Sequence, residues 1–147
     1  MRFAFHARGH PNITASHPTT FEFTRDPNVS RRGDCIIAVA AECGLAGLPA
    51  QMARAMRSPD ACMRVRIRCG DAEDTIVGRG DPGLTYSHLS EMVGRRSGYA
   101  CGRTLCVRAD KAARDLDREL AEAMRGCGDV EIVLKVVVAG DQSGSVK

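Results

Sequence analysis

Ile36–Met56, IIAVAAECGLAGLPAQMARAM, and Thr104–Met124, TLCVRADKAARDLDRELAEAM, align without a gap at a spacing of 68 residues (Ile36 to Thr104). In that register Val39 falls on Val107, Ala41 on Ala109, Leu48 on Leu116 and Met56 on Met124, while Glu42 meets Asp110 and Met52 meets Leu120. Apolar and acidic positions that agree in order and kind are the signature of a repeated supersecondary unit, so the chain reads as an internal duplication. Each copy opens on an apolar run, Cys35–Ala41 or Arg103–Arg108, which predicts a buried strand. Each continues into a helix. The first helix is predicted over about Pro49–Arg57. The second opens at Asp110, carries Ala109, Ala113, Leu116, Leu120 and Met124 on one stripe, and closes at Gly126.

Outward from these segments, Met63–Cys69 alternates as a strand, Asp74–Val77 forms another, and Val130–Ala139 is a third, rich in Val. Arg79–Gly83 reads as a turn, Leu84–Val93 as a less regular stretch, and Gly140 onward as a polar tail. Between His10 and Thr24 polar and apolar residues alternate on both sides of His17-Pro18-Thr19, which predicts a hairpin with Ser16 opposite Thr20 and Thr14 opposite Glu22. Asp81-Pro82 is matched to His17-Pro18 in the other copy. Each unit is then β-β-α-β. The expected fold is α+β: one mixed, partly barrel-like sheet with two helices outside. A single domain over 1–140 holds both repeats, about 10–70 and 74–139, before the tail 141–147.

A hydrophobic fraction of 44% and a charged fraction of 27% belong to a globular chain and exclude a disordered or fibrous one. Val130–Ala139, interrupted by Glu131 and Lys135, is about half the length of a membrane-crossing helix. Met1–His10 lacks the apolar core of a secretory signal, so a cytoplasmic protein without membrane partners is expected. Seven cysteines with no C-x-x-C spacing fit neither a zinc site nor a disulfide framework, and reduced thiols are expected. The net charge is +3, carried by eighteen Arg and three Lys. Arginine recognises carboxylates and phosphates bidentately, so its local clustering is informative.

Four separated segments follow a known pattern in order: His10–Thr24, Gly33–Ile37, Met92–Ser97 and Arg103–Leu105 with Ala109–Ala113. Across nearly its whole length the chain resembles the archaeal "domain of unknown function 371" family. The resemblance implies a small archaeal cytoplasmic protein and brings no established activity, cofactor or catalytic residue. Where that family has a basic-Lys-Ser segment, this chain has Arg95-Arg96-Ser97.

Three constellations are candidates for function. The polar row His10, Asn12, Thr14, Ser16, Thr20, Glu22 and Thr24, with His17 at its tip, either meets solvent as any half-buried sheet does or lines a cleft. In a cleft, Glu22 is a general base, and His10 and His17 are weak metal candidates with no declared third ligand. Arg64, Arg66 and Arg68 alternate along one strand face at about 6.6 Å, near the spacing of successive phosphates, although a solvated strand face has the same pattern. The chain has no Trp and only two Tyr for stacking bases. Arg95, Arg96 and Ser97 precede Arg103-Thr104 and Asp110-Lys111, a set able to cradle a phosphate without being a P-loop. The leading expectation is a binding protein whose cleft between the repeats takes an anionic ligand, a phosphorylated metabolite or RNA. In it Asn12, Thr14, Thr20 and Glu22 orient the ligand, and Arg95, Arg96, Ser97 and Lys111 hold its charge. The alternatives are a small hydrolase or lyase using His10, His17 and Glu22, metal-dependent or not, and a non-catalytic subunit of a larger complex. The polar row and Arg95-Arg96-Ser97 are read as the places where the two copies stop agreeing.

Overall fold

Eight strands and two short helices make up the computed structural model, which describes residues 1–139. In chain order they are β1 (Arg2–Arg8), β2 (Thr20–Thr24), β3 (Ile36–Ala38), α1 (Ala50–Ala55), β4 (Ala61–Cys69), β5 (Ala72–Arg79), β6 (Glu91–Arg95), β7 (Thr104–Cys106), α2 (Arg118–Ala123) and β8 (Asp129–Val138). The strands divide between two sheets of order β1-β8-β4-β5 and β3-β2-β6-β7. The α+β class with two helices therefore holds, with two four-stranded sheets and no closed barrel. The tail beyond Ala139 lies outside the described residues.

Alternation builds the first sheet. Met63, Val65 and Ile67 of β4, with Ile132, Leu134 and Val136 of β8, are buried on one face, and Arg64 and Arg68 are exposed on the other. All three of its strand pairings are antiparallel. The second sheet has an antiparallel centre, β2 with β6, and a parallel strand on each side. Its inner face meets the first sheet through aromatic edges: Phe23 lies 5.8 Å from Phe5 and 5.8 Å from Phe21, both near-perpendicular. Gly94 sits opposite Phe21, and a Cβ there would fall 2.1 Å from the ring. Only glycine leaves room for that ring. Met52, Leu120, Met56 and Met124 carry the helices into the same core.

The same order of elements recurs in the two halves, at spacings that shift along the chain. From β1 to β2 the spacing is 71, so that Ala15 and Tyr86 hold left-handed φ angles of 47° and 51°, and Thr14–Ser16 and Thr85–Ser87 each close at 3.1 Å. From β3 through the helices it is 68, with Ala40 and Arg108 left-handed at φ 51° and 50°. At the last strand it is 67: the Ala61 carbonyl accepts from Gly80 N as the Gly128 carbonyl accepts from Gly9 N. Exchanging the halves maps every strand pairing onto its counterpart. An approximate twofold passes through the pairs Glu22–Val93 and Arg66–Val133.

Several local expectations are corrected by these contacts. No hairpin forms over His10–Thr24: residues 9–19 are a loop, and Thr20–Thr24 pairs instead with β6 and β3. The alternation there reflects burial of Ile13 and Ala15, while the left-handed turn at Ala15 prevents a continuous strand. Each half is β-β-β-α-β, because Arg2–Arg8 is itself a strand that buries Phe5 and Ala7. At spacing 71, Asp81-Pro82 corresponds to His10-Pro11, not to His17-Pro18. Asp110 does not open α2: its carboxylate accepts from Val77 N at 2.9 Å, and Asp117 caps the helix by accepting from Glu119 N and Leu120 N at 2.9 and 3.2 Å.

Candidate functional site

Phe21 and Phe23 point into the core, so period two turns Thr20, Glu22 and Thr24 to the opposite face of the second sheet. Across the central pairing, Thr20 meets Arg95, Glu22 meets Val93 and Thr24 meets Glu91. Polar groups therefore converge where the two halves join. Glu22 is only 7% exposed, and Cys35 Sγ donates to its Oε1 at 3.6 Å. Burial, followed by the nearby Glu91 carboxylate, pushes the Glu22 carboxyl up to about 7, against the pull of Cys35, Arg103 and Arg95. It gains and loses its proton near neutrality. Glu91 Oε1 lies 3.2 Å from Arg103 Nη1 as an ion pair.

Arg95 is held differently. Its Nε donates to Thr104 Oγ1 at 3.0 Å, its Nη2 to Cys101 Sγ at 3.6 Å, and its guanidinium carbon lies 5.0 Å from the Tyr99 ring centroid. Among the described residues no carboxylate is within ion-pairing reach of Arg95. Thr104 is fully buried and accepts from both Arg95 Nε and Cys101 N, which leaves its own hydroxyl proton for Cys101 Sγ at 3.5 Å. Burial raises the Cys101 thiol pKa, but hydrogen bonds from Thr104, the Arg103 backbone and Arg95 outweigh it and hold the thiol below its ordinary value. Cys35 goes the other way, pushed up to about 11 by burial and by Glu22. One thiol is activated and the other is not.

A family model described as a domain of unknown function, DUF371, matches residues 5–138. The chain belongs to the DUF371 family. An uncharacterised protein of Methanocaldococcus jannaschii is 33% identical over 138 residues, which span 94% of this chain and 100% of that relative. No helix among the described residues of this DUF371 chain is long and apolar enough to cross a membrane.

The expected site residues separate into two groups. His17, Thr20, Glu22, Arg95, Arg96 and Ser97 lie together along β2 and β6: His17 Nδ1 accepts from Thr20 N at 3.1 Å, and Arg96 N donates to the Thr19 carbonyl at 2.9 Å. Arg96 is spent on Asp115 at 3.3 Å, and Ser97 Oγ accepts from Tyr99 N at 3.3 Å. The others are elsewhere. His10 Nδ1 accepts from Asn12 N, Asn12 Nδ2 donates to the Val29 carbonyl, and Thr14 faces Arg118 and Arg125 beside α2. Lys111 Nζ is bound on β5 by Asp74 at 2.6 Å and by the Thr75 carbonyl at 3.1 Å. Burial raises the Asp74 carboxyl pKa, but Lys111 and the Asp117 and Thr75 amides outweigh that and hold it below its ordinary value.

His17 has a twin that clarifies it. His88 Nδ1 accepts from Ser90 N and Glu91 N at 3.1 and 2.9 Å, as His17 Nδ1 does from Thr19 N and Thr20 N. The carbonyls of the two histidines reach across to Ala46 N and Arg114 N of the opposite halves. Thr14, Ser16 and His17 of the polar row thus recur in the second half of the DUF371 fold as Thr85, Ser87 and His88, whereas Asn12 and Glu22 meet Gly83 and Val93, so only part of the row is confined to the first copy. The 71-residue spacing hid it behind the 68-residue one. No group of three or more His, Cys, Asp or Glu positioned to hold a metal ion occurs among the described residues, so His10 and His17 gain no third ligand there. The halves differ in this region at Thr20 against Glu91, Glu22 against Val93, Thr24 against Arg95 and Cys35 against Arg103. Thr104 belongs to the expected phosphate-cradling set and lies within nine residues of Arg95, whereas Glu91 was absent from the expected site because its approach to Glu22 is made by the pairing of β2 with β6.

Proposed function

We propose that this DUF371 protein binds an anionic ligand, a phosphorylated small molecule, on the polar face where β2 and β6 join the two halves. Arg95 carries the reading: a guanidinium oriented by a hydroxyl, a thiol and an aromatic ring, with no carboxylate in ion-pairing reach among the described residues. A cation pre-positioned by neutral groups keeps its charge for a ligand, whereas Arg96, Arg103 and Lys111 have already matched theirs. Arg95 holds the phosphate, the exposed Tyr99 ring offers an apolar flank, and Glu22 donates a hydrogen bond while protonated and repels the anion once ionised. Affinity falls as pH rises through about 7.

Calorimetric titration with a nucleoside 5′-monophosphate tests this. Arg95→Ala removes binding, Arg95→Lys restores only part of it, and Glu22→Gln binds without the fall in affinity through about pH 7, leaving only the change from the phosphate's own ionisation at about pH 6. Unchanged affinity in Arg95→Ala ends the proposal. A second reading, hydrolase or lyase chemistry with Glu22 as general base, draws on its titration near neutrality. Turnover of a phosphate ester that disappears in Glu22→Gln while binding persists would select that reading over simple binding.

A further inference from the structure

The outward face of the first sheet carries a second asymmetry, independent of Arg95. Strand register places its side chains in rows. Arg2, Lys135 and Arg64 stand side by side on β1, β8 and β4, with Val77 next on β5. Neighbours in such a row are about 5 Å apart at Cα, and like charges directly opposite one another destabilise a sheet. The twofold supplies the comparison. It carries Arg2, Lys135 and Arg64 onto Glu73, Arg68 and Glu131, also a side-by-side row, in which charges alternate. Arg68 there is paired with Glu131 at 3.2 Å. The same scaffold alternates both signs of charge in the row on one side of its axis and is wholly cationic in the row on the other.

On the axis between the two rows lies Arg66, opposite Val133. Arg64, Arg66, Lys135, Thr75 and Val133 line a concavity of about 170 Å³, with Val133 2% exposed at its floor. Arg66 is ion-paired with Glu73 Oε2 at 3.6 Å, but its buried Nε has no hydrogen-bond partner among the described residues. Arg2, Arg64 and Lys135 make no ion pair among the described residues. A cationic row and an unsatisfied buried donor at one concavity call for the same missing partner, an acceptor-rich anion.

We propose that this face is an oligophosphate site, taking the di- or triphosphate group of a small molecule between Arg64, Arg66 and Lys135, with Arg2 beyond. Its size and borders select that occupant. The concavity is smaller than the pockets that enclose whole drug-sized ligands, roughly 300–1,000 Å³, so it holds a compact anion and leaves any organic portion outside. A nucleic-acid strand following β4 past Arg66 would meet Glu131 and Glu73 flanking Arg68. One crossing the strands would leave the sheet at β1, its edge.

Titration with tripolyphosphate at low salt, set against a single-stranded RNA oligonucleotide, tests the site. Wild type binds tripolyphosphate and its thermal midpoint rises. Arg64→Gln with Lys135→Gln weakens binding by roughly tenfold or more, the scale of losing charge-assisted hydrogen bonds. Arg68→Gln, whose partner is Glu131, keeps wild-type affinity for tripolyphosphate. The exposed positions make folding of the double variant straightforward to verify by its unfolding transition. Absence of tripolyphosphate binding by wild type, equal loss in Arg68→Gln, or tighter binding of the RNA than of tripolyphosphate each overturns the proposal. Loss in Arg95→Ala alone would also overturn it, by assigning the anion to the other face.

Discussion

Replacing Glu22 by Gln should change how stability depends on pH. The carboxyl titrates near 4.5 in an unfolded chain and near 7 in the fold, because burial and Glu91 disfavour its ionised form. Below pH 4.5 both states hold the proton and the group's stabilising contribution is complete. Between 4.5 and 7 the unfolded chain ionises while the fold stays protonated, so stability falls by about 1.4 kcal/mol for each pH unit. Above 7 both are ionised and the loss levels off. The full change is on the order of 3 kcal/mol, a large part of the total for a domain of this size. Glutamine is neutral throughout and close in shape, and its amide oxygen can accept from Cys35 Sγ as the carboxylate does. Urea unfolding of both proteins from about pH 4.5 to 8 isolates the effect, since other titrating groups cancel in the difference. Glu22→Gln should gain on wild type by on the order of 3 kcal/mol across that window, with its midpoint between the two titrations. A difference that stays flat, or that develops wholly below pH 5, refutes the burial argument.

Two further changes probe the packing and the thiols. Gly94→Ala places a methyl group 2.1 Å from the fully buried Phe21 ring, so equilibrium unfolding should show a loss of about 3 kcal/mol or more, partly rescued by Phe21→Leu; a variant as stable as wild type would disprove the contact. Timed iodoacetamide labelling read by mass spectrometry should modify Cys101 well before Cys35 and Cys106, whose thiols are pushed up to about 11 and about 12. Exposed Cys127 serves as the reference, and Cys35 reacting first would contradict the role given to Thr104 and Arg95.

Much of the local structure was legible because it rests on short-range periodicity. Arg64, Arg66 and Arg68 alternate with Val65 and Ile67, and that alone places a strand with one cationic face. The 68-residue match found the strand–helix segments because the loops within them have equal length in both halves. It missed the polar loop shared by Thr14–Thr20 and Thr85–Glu91, since unequal loops shift the spacing to 71 there. The hairpin expectation at His10–Thr24 failed for a related reason. Alternation reports which residues are buried, and Ile13 and Ala15 are; it does not report which strand is the partner.

The sequence alone determined that the chain is α+β and which side chains of β4 lie on its apolar and cationic faces, since these follow from local backbone geometry and the aversion of apolar groups for water. Only the tertiary structure decided which strands are neighbours. That choice buried Glu22 beside Glu91, left Arg95 without an ion pair among the described residues, spent Lys111 on Asp74, and aligned Arg2, Lys135 and Arg64 in a single row. Charge is read from composition, but its energy depends on distance and burial, and both are set by contacts between residues far apart in the chain.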